Sequence, residues 1–330
     1  MRARKKGVTP TRMLAILKRQ AEPRWGSDYI PSILATPQEA PSISHACTLN
    51  SSKLGREVHC LSLSETAAAL LALYDPAVVE LHEQRMLAPW PTPHPLFGFP
   101  GLRQVDLPPI KGMIYVAERM GYLNLLPRVR IENPDVPGSS DMQVFPYIGD
   151  FLLFRRRVGD DGLYCVNWSI KHQQAAFRGR IANIVGRPKQ SRYGSSEILA
   201  RHEMEEAYYR DAGIRTVRIA GEQIDFQVTA NLKQLFLNHR TQLPIGETQQ
   251  RRILERFLLA RDLGIPPLEA AHELCARGDV TPHACRTVLY QAIWRRELRV
   301  DLFRPVLFNL PLRPEQRDVL DVYADWFKEA

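Results

Sequence analysis

Phe145-Pro-Tyr-Ile-Gly-Asp150-Phe-Leu-Leu-Phe154, followed by Tyr164-Cys-Val-Asn-Trp-Ser-Ile-Lys171, reads as two apolar strands with a polar turn between them. Hairpin partners lie side by side, about 4.8 Å apart. An aspartate at one strand end and a lysine at the end of the next can therefore converge at one edge of a small sheet. Upstream, Ser62 or Ser64 offers an N-cap for a helix through Leu73 that Tyr74-Asp-Pro76 ends, which puts Glu65 in a first helical turn. Glu65 can supply a second carboxylate.

Hydrolysis of a phosphodiester needs an activated water, stabilisation of charge at phosphorus and an acid or metal at the leaving oxygen. Magnesium keeps most of its waters and takes one or two protein carboxylates. Glu65 and Asp150 are enough, and the backbone carbonyl of Ile170 could add a ligand. Lys171 beside them would orient or deprotonate the attacking water, or offset charge on the phosphate. Any α/β protein has an Asp closing one strand and a Lys closing another, so the pair says little alone. The helix-borne Glu65 before it and a basic stretch after it add weight: His172 to Ser196 contains no acidic residue but carries Arg178, Arg180, Arg187, Lys189 and Arg192, candidate phosphate contacts.

Working outward, residues 1–45 form a basic arm and Pro/Ser-rich linker with a possible helix over 11–20. Its Met13, Leu14, Ile16 and Leu17 recur at helical spacing and could dock on the core. Lys53 to Cys60 reads as a strand, and Val78 to Gln84 alternates as a half-buried strand. Pro89 to Pro100 is a loop, and an amphipathic helix is expected between Pro109 and Gly121. A helix over 196–212 stopped by Gly213, then a strand Ile214 to Ile219, complete an α/β layer. Past Leu243-Pro-Ile-Gly246 come helices near 248–263, 267–277 and 281–296, and alternation over Leu298 to Phe308 suits a wing strand. That pattern resembles a winged helix. The division expected is an arm over 1–45, a catalytic domain over 46–245 and a helical domain over 246–330.

The 330 residues carry a net charge of +8, with 45% hydrophobic and 24% charged residues, as in soluble globular proteins. The basic balance favours a polyanionic partner. Apolar runs such as Ala67 to Tyr74 are too short to span a bilayer. Met1-Arg-Ala-Arg-Lys-Lys-Gly lacks a secretory apolar region, so a cytoplasmic location and no membrane partner are expected. Five cysteines without paired spacing argue for reduced thiols, and the nine histidines form no zinc-ligand pattern.

Ser62-Leu-Ser-Glu-Thr-Ala-Ala-Ala-Leu-Leu-Ala-Leu-Tyr-Asp-Pro-Ala-Val-Val-Glu-Leu-His-Glu-Gln84 resembles the opening of TnsA, the endonuclease family of Tn7-like heteromeric transposases. Asp150, Ser-Ile-Lys171, the Glu205 to Leu237 segment with Asn231-Leu-Lys-Gln-Leu235 and the helical C-terminal region follow in family order. The likeness covers roughly residues 46 to 312. It implies a restriction-endonuclease-like PD-(D/E)xK core with a winged-helix-like C-terminal domain, cutting double-stranded DNA at the 5′ ends of the transposon. The 3′ ends would be left to the DDE-type transposase TnsB, under the AAA+ regulator TnsC. By the same resemblance Glu65, Asp150 and Lys171 are the catalytic acid, acid and lysine, and Glu65 and Asp150 would hold magnesium, in two ions, with manganese as a substitute.

Two departures stand out. Ser169 occupies the position two before the lysine, where the family usually has Glu, Asp or Gln, and its hydroxyl is a poorer ligand. The loop between Gln84 and Asp150 is also long, with the extra Pro109 to Gly121 helix, and Gly149 replaces the proline that often precedes the aspartate. Ser169 motivates an alternative, a catalytically degenerate nuclease fold serving as an adaptor between transposase and regulator. A free-standing restriction or repair nuclease is a third reading.

Overall fold

A computed structural model describes residues 7–42, 45–102, 107–132, 139–157, 159, 162–178, 195–276, 278 and 280–330. They fall into two compact units: Met1–Ala69, Ala77–Gln223 and Trp326–Ala330 in the first, Leu70–Pro76 and Ile224–Asp325 in the second. The first contains α1 (Pro10–Gln20), the hairpin β1 (Cys47–Ser51) and β2 (Arg56–Cys60), and the start of α2 (Leu63–Tyr74). It continues through β3 (Val78–Glu83), β4 (Met86–Leu87), α3 (Met113–Arg119), β5 (Arg128–Glu132), β6 (Ser140–Val144), β7 (Tyr147–Ile148), β8 (Phe151–Arg156), β9 (Leu163–Lys171), α4 (Ser195–Arg210) and β10 (Arg215–Ala220).

This unit is mixed α/β. Its central sheet runs β10-β9-β8-β3, antiparallel from β3 through β8 to β9 and parallel between β9 and β10. A parallel step needs a crossover, and α4 lies between those two strands in the chain. Phe151, Leu152, Leu153 and Phe154 are all buried because the sheet is covered on both faces. Leu152, Phe154 and Cys165 pack with Met204 and Tyr208 of α4. On the opposite face Trp168 meets Phe327, ring centroids 5.0 Å apart, and its indole N–H donates to the Trp326 carbonyl at 2.8 Å.

The alternating reading of Val78 to Gln84 as half-buried is corrected: Glu80, His82 and Glu83 are buried with their apolar neighbours. The reason is local cover. Arg56 of β2 binds both carboxylates, and Tyr29 stacks flat on His82 at 3.9 Å. Arg85 Nη1 lies 2.7 Å from His82 Nδ1, which must accept, because a guanidinium only donates. Burial and the nearby Arg85 and Arg56 charges hold the His82 pKa well below 6.5. The unfolded chain therefore binds the proton more readily. His82 contributes stability in full above about pH 6.5, and that stability is lost as pH falls toward its folded pKa. Urea titrations from pH 7.5 to 5 should show this loss in the wild type and a flatter profile for His82→Phe.

Lys53 to Cys60 is a turn followed by a strand, with Cys47 facing Cys60 across the hairpin, and none of the five cysteines is in a disulfide. In α1, Met13 and Ile16 are buried with Met86, Val129 and Phe145, while Leu14 stays exposed. Contacts therefore group the described part of the expected arm with the first unit.

The second unit holds α5 (Phe226–Asn238), α6 (Glu247–Leu263), α7 (Pro267–Cys275), α8 (Pro282–Trp294) and α9 (Val319–Val322). α5, expected inside the catalytic domain, is grouped with these helices. The expected wing strand over Leu298 to Phe308 does not form; Val300 makes only an isolated bridge to Pro314. The segment instead wraps on buried Asn231, whose amide donates to the Leu302 and Arg304 carbonyls at 2.8 Å each and accepts from the Val306 N–H at 3.1 Å. Among the described residues no helix is long and apolar enough to cross a membrane.

Candidate functional site

Asp150 sits where the chain leaves β7 and enters β8. Gly149 N–H donates to the Arg85 carbonyl at 2.9 Å, a bond that proline at this position could not make. The antiparallel register sets Phe151 opposite Trp168, so the start of β8 meets the end of β9. Asp150 Oδ2 accepts from the Ile170 N–H at 2.6 Å and from Lys171 Nζ at 3.2 Å. Lys171 Nζ also donates to the Ile170 carbonyl at 2.8 Å, so the carbonyl expected as a metal ligand is engaged by the lysine here.

Glu65 reaches the site from the helix start. Ser62 Oγ accepts from the Glu65 N–H at 3.2 Å as the N-cap, and Glu65 in turn accepts from Ser62 Oγ at 2.9 Å and the Leu61 N–H at 2.8 Å. Capping thus explains part of its orientation, and Gln84 explains the rest. Gln84 Nε2 donates to Glu65 Oε2 at 3.0 Å while its N–H donates to the Asp150 carbonyl at 2.8 Å. It does so at φ 50°, a left-handed conformation uncommon outside glycine. Gly221 after β10 completes the approach: a Cβ there would fall 2.8 Å from Ser64 Cβ, so only glycine lets the first turn of α2 lie this close.

Burial and the nearby negative charge of Asp150 push Glu65 up to about 7. Both causes penalise an uncompensated carboxylate. Among the described residues no lysine or arginine forms an ion pair with Glu65, and the one at Asp150 is Lys171. Hard carboxylate oxygens in this state suit a divalent ion such as magnesium. Among the described residues, however, no three His, Cys, Asp or Glu side chains are gathered closely enough to hold one as they stand.

A cavity of about 490 Å³ opens on Asp150 and Lys171, walled by Tyr147, Arg201, His202 and Glu205. Glu65 does not line it. Arg201, His202 and Glu205 share a face of α4, and none of them stood out as a site residue in the sequence. The i, i+1, i+4 spacing was the available signal, but it is also that of a solvated helix face. Arg201 is exposed, and its guanidinium lies 4.9 Å from the Tyr147 ring centroid. Burial, then Lys171 and Arg201, push His202 down to about 3, which keeps it neutral. Of the expected phosphate contacts, Arg178 is exposed on the turn Gln174–Arg178 that follows β9. Arg180, Arg187, Lys189 and Arg192 lie outside the described residues.

No protein-family model matches the chain, and no curated protein matches it.

Proposed function

We propose that this chain is a magnesium-dependent DNA endonuclease that cuts the 5′ strands at transposon ends as one subunit of a transposase. The observation that carries the proposal is the contact of Lys171 with Asp150 at the shared edge of β8 and β9, with Glu65 tied to the same point through Gln84. On this reading the first unit is a restriction-endonuclease-like core. The helices of the second unit serve as a winged-helix-like module, without a formed wing, for contacts to DNA, a TnsB-type transposase or a TnsC-type regulator.

Glu65 and Asp150 would hold the ion, which when bound lowers the pKa of an attacking water and offsets charge on the phosphate. Lys171 orients that water or takes its proton, and Arg201 and Arg178 offer cationic contacts to the DNA backbone. Capping by Ser62 and the bond from Gln84 fix Glu65 before substrate arrives, so little reorganisation is left for the reactive complex.

Strand-resolved mapping of cuts on transposon-end DNA, with the cognate DDE-type transposase present, tests this. Magnesium should give 5′-strand cuts that a chelator removes and that the transposase alone does not make. Assembly of the complex without any 5′ cut would favour the adaptor reading that Ser169 motivates. Cutting of unrelated DNA without a partner would favour a free-standing nuclease.

A further inference from the structure

Along β9 the side chains of Asn167, Ser169 and Lys171 alternate onto the face that α4 covers, and Ser169 stands where a carboxylate or amide ligand would be expected. The space beside it holds Glu205. Ser169 Oγ lies 3.4 Å from Glu205 Oε2, and Asn167 Nδ2 donates to Glu205 Oε1 at 3.0 Å. Glu205 Oε1 also lies 3.7 Å from the position a Cβ on Gly149 would take, directly before Asp150. The Glu205 side chain thus abuts both the residue preceding the aspartate and the residue two before the lysine.

Its environment does not explain a structural carboxylate. Glu205 is 6% exposed, yet its hydrogen bonds come from an amide and a hydroxyl, and no lysine or arginine among the described residues pairs with it. Asp150 is close enough for its negative charge to act against that of Glu205. Asp150 has Lys171 to offset its charge, whereas Glu205 is buried beside that like charge with no ion-pairing lysine or arginine of its own among the described residues, an unfavourable place for a carboxylate. A second, independent feature points into the same space. His202, 5% exposed and a wall of the cavity shared with Asp150 and Lys171, leaves Nδ1 without a hydrogen-bond partner, 3.9 Å from Glu205 Oε2.

We infer that Glu205 is the carboxylate that position 169 lacks, and that together with Asp150 it binds a divalent metal ion of the magnesium or manganese class. The inference rests on the proposed function and names a further ligand at that site. It gives Ser169 a physical meaning. A small hydroxyl at 169 leaves room for a carboxylate arriving from α4, whereas Asp or Glu at 169 would crowd Glu205 and add a third charge. The ligand has moved from strand to helix, and the adaptor reading loses the feature that motivated it.

The test is manganese binding to the full-length protein, read from the electron paramagnetic resonance signal of free Mn²⁺, with wild type, Asp150→Ala, Glu205→Gln and the double variant Ser169→Asp/Glu205→Gln. Glutamine keeps the shape and the acceptor for Asn167, so circular dichroism should be unchanged. Loss of the Glu205 carboxylate is expected to weaken manganese binding ~10- to 100-fold, the range already found for groups one shell further out. The double variant, which returns a carboxylate to the strand, should recover most of that loss. Recovery cannot result from unfolding, so the comparison holds even if Glu205→Gln is poorly folded. Wild-type affinity in Glu205→Gln, with binding lost in Asp150→Ala, would overturn the role of Glu205 and leave the nuclease reading intact. No binding by the wild type would overturn both.

Discussion

Asp150→Ala is expected to abolish the 5′-strand cut, by about 10³-fold or more, while leaving the partner transposase's 3′-strand cut in the same reaction. The size follows from what Asp150 does. Its carboxylate pairs with Lys171 and also accepts the Ile170 N–H. On the proposed reading its loss would remove a metal ligand and release the lysine together. A metal contributes several kcal/mol of transition-state stabilisation, and each 1.36 kcal/mol is about tenfold in rate. Lys171→Met should lose ~10²–10⁴-fold, the range for a positioned acid–base group, and should still bind manganese. That split separates the two roles. If Lys171→Met lost metal binding as completely as Asp150→Ala, the lysine would be organising the carboxylate rather than acting on the water. A 5′ cut of wild-type rate in Asp150→Ala would remove the proposed site altogether.

Asp150 and Lys171 were legible in the sequence because strand ends advertise themselves: a mostly apolar stretch flanked by a charged residue marks where a buried strand reaches the sheet edge. Glu65 was legible for a different reason, an N-cap at Ser62 or Ser64 that puts it in a first helical turn. Gln84, Arg201, His202 and Glu205 were not. Gln84 matters through a backbone φ of 50°, and no glycine or asparagine flags it. Glu205 sits on a helix whose Glu, His and Arg residues read as a solvated surface, and only the fold shows that this face closes on β9. The burial of β3 depends on Arg56, contributed by a hairpin more than twenty residues earlier, so alternation alone misled. The missing wing has a local cause: Pro305 removes a ladder donor from a stretch whose apolar alternation is otherwise strand-like, and Pro311 and Pro314 remove donors from the segment that follows it.

Arg56→Met should destabilise the first unit by ~3–5 kcal/mol, the cost of leaving buried charge without its partner. Arg56 Nη1 donates to both oxygens of Glu83, at 2.8 and 2.9 Å, and Nη2 contacts Glu80 at 3.4 Å and the Leu81 carbonyl. The side chains of Arg56 and Glu83 are 6% and 0% exposed, so water cannot take the guanidinium's place. Tryptophan fluorescence during urea unfolding suits the measurement, because Trp25, Trp90, Trp168 and Trp326 belong to the first unit and only Trp294 to the second. Arg56→Met/Glu83→Leu should recover much of the loss, since replacing both members of a buried pair is often neutral. A loss below about 1 kcal/mol in the single variant would mean the pair behaves like an exposed one. The same variant tests how the fold holds the site. Glu83 precedes Gln84, and its carbonyl accepts from the Tyr29 hydroxyl at 2.7 Å while its carboxylate accepts from the His59 N–H at 3.0 Å. Those contacts anchor the residue before the left-handed turn through which Gln84 reaches Glu65 and Asp150. Arg56→Met assayed well below its unfolding transition should therefore still cut more slowly than wild type, and the double variant should regain stability more fully than cutting.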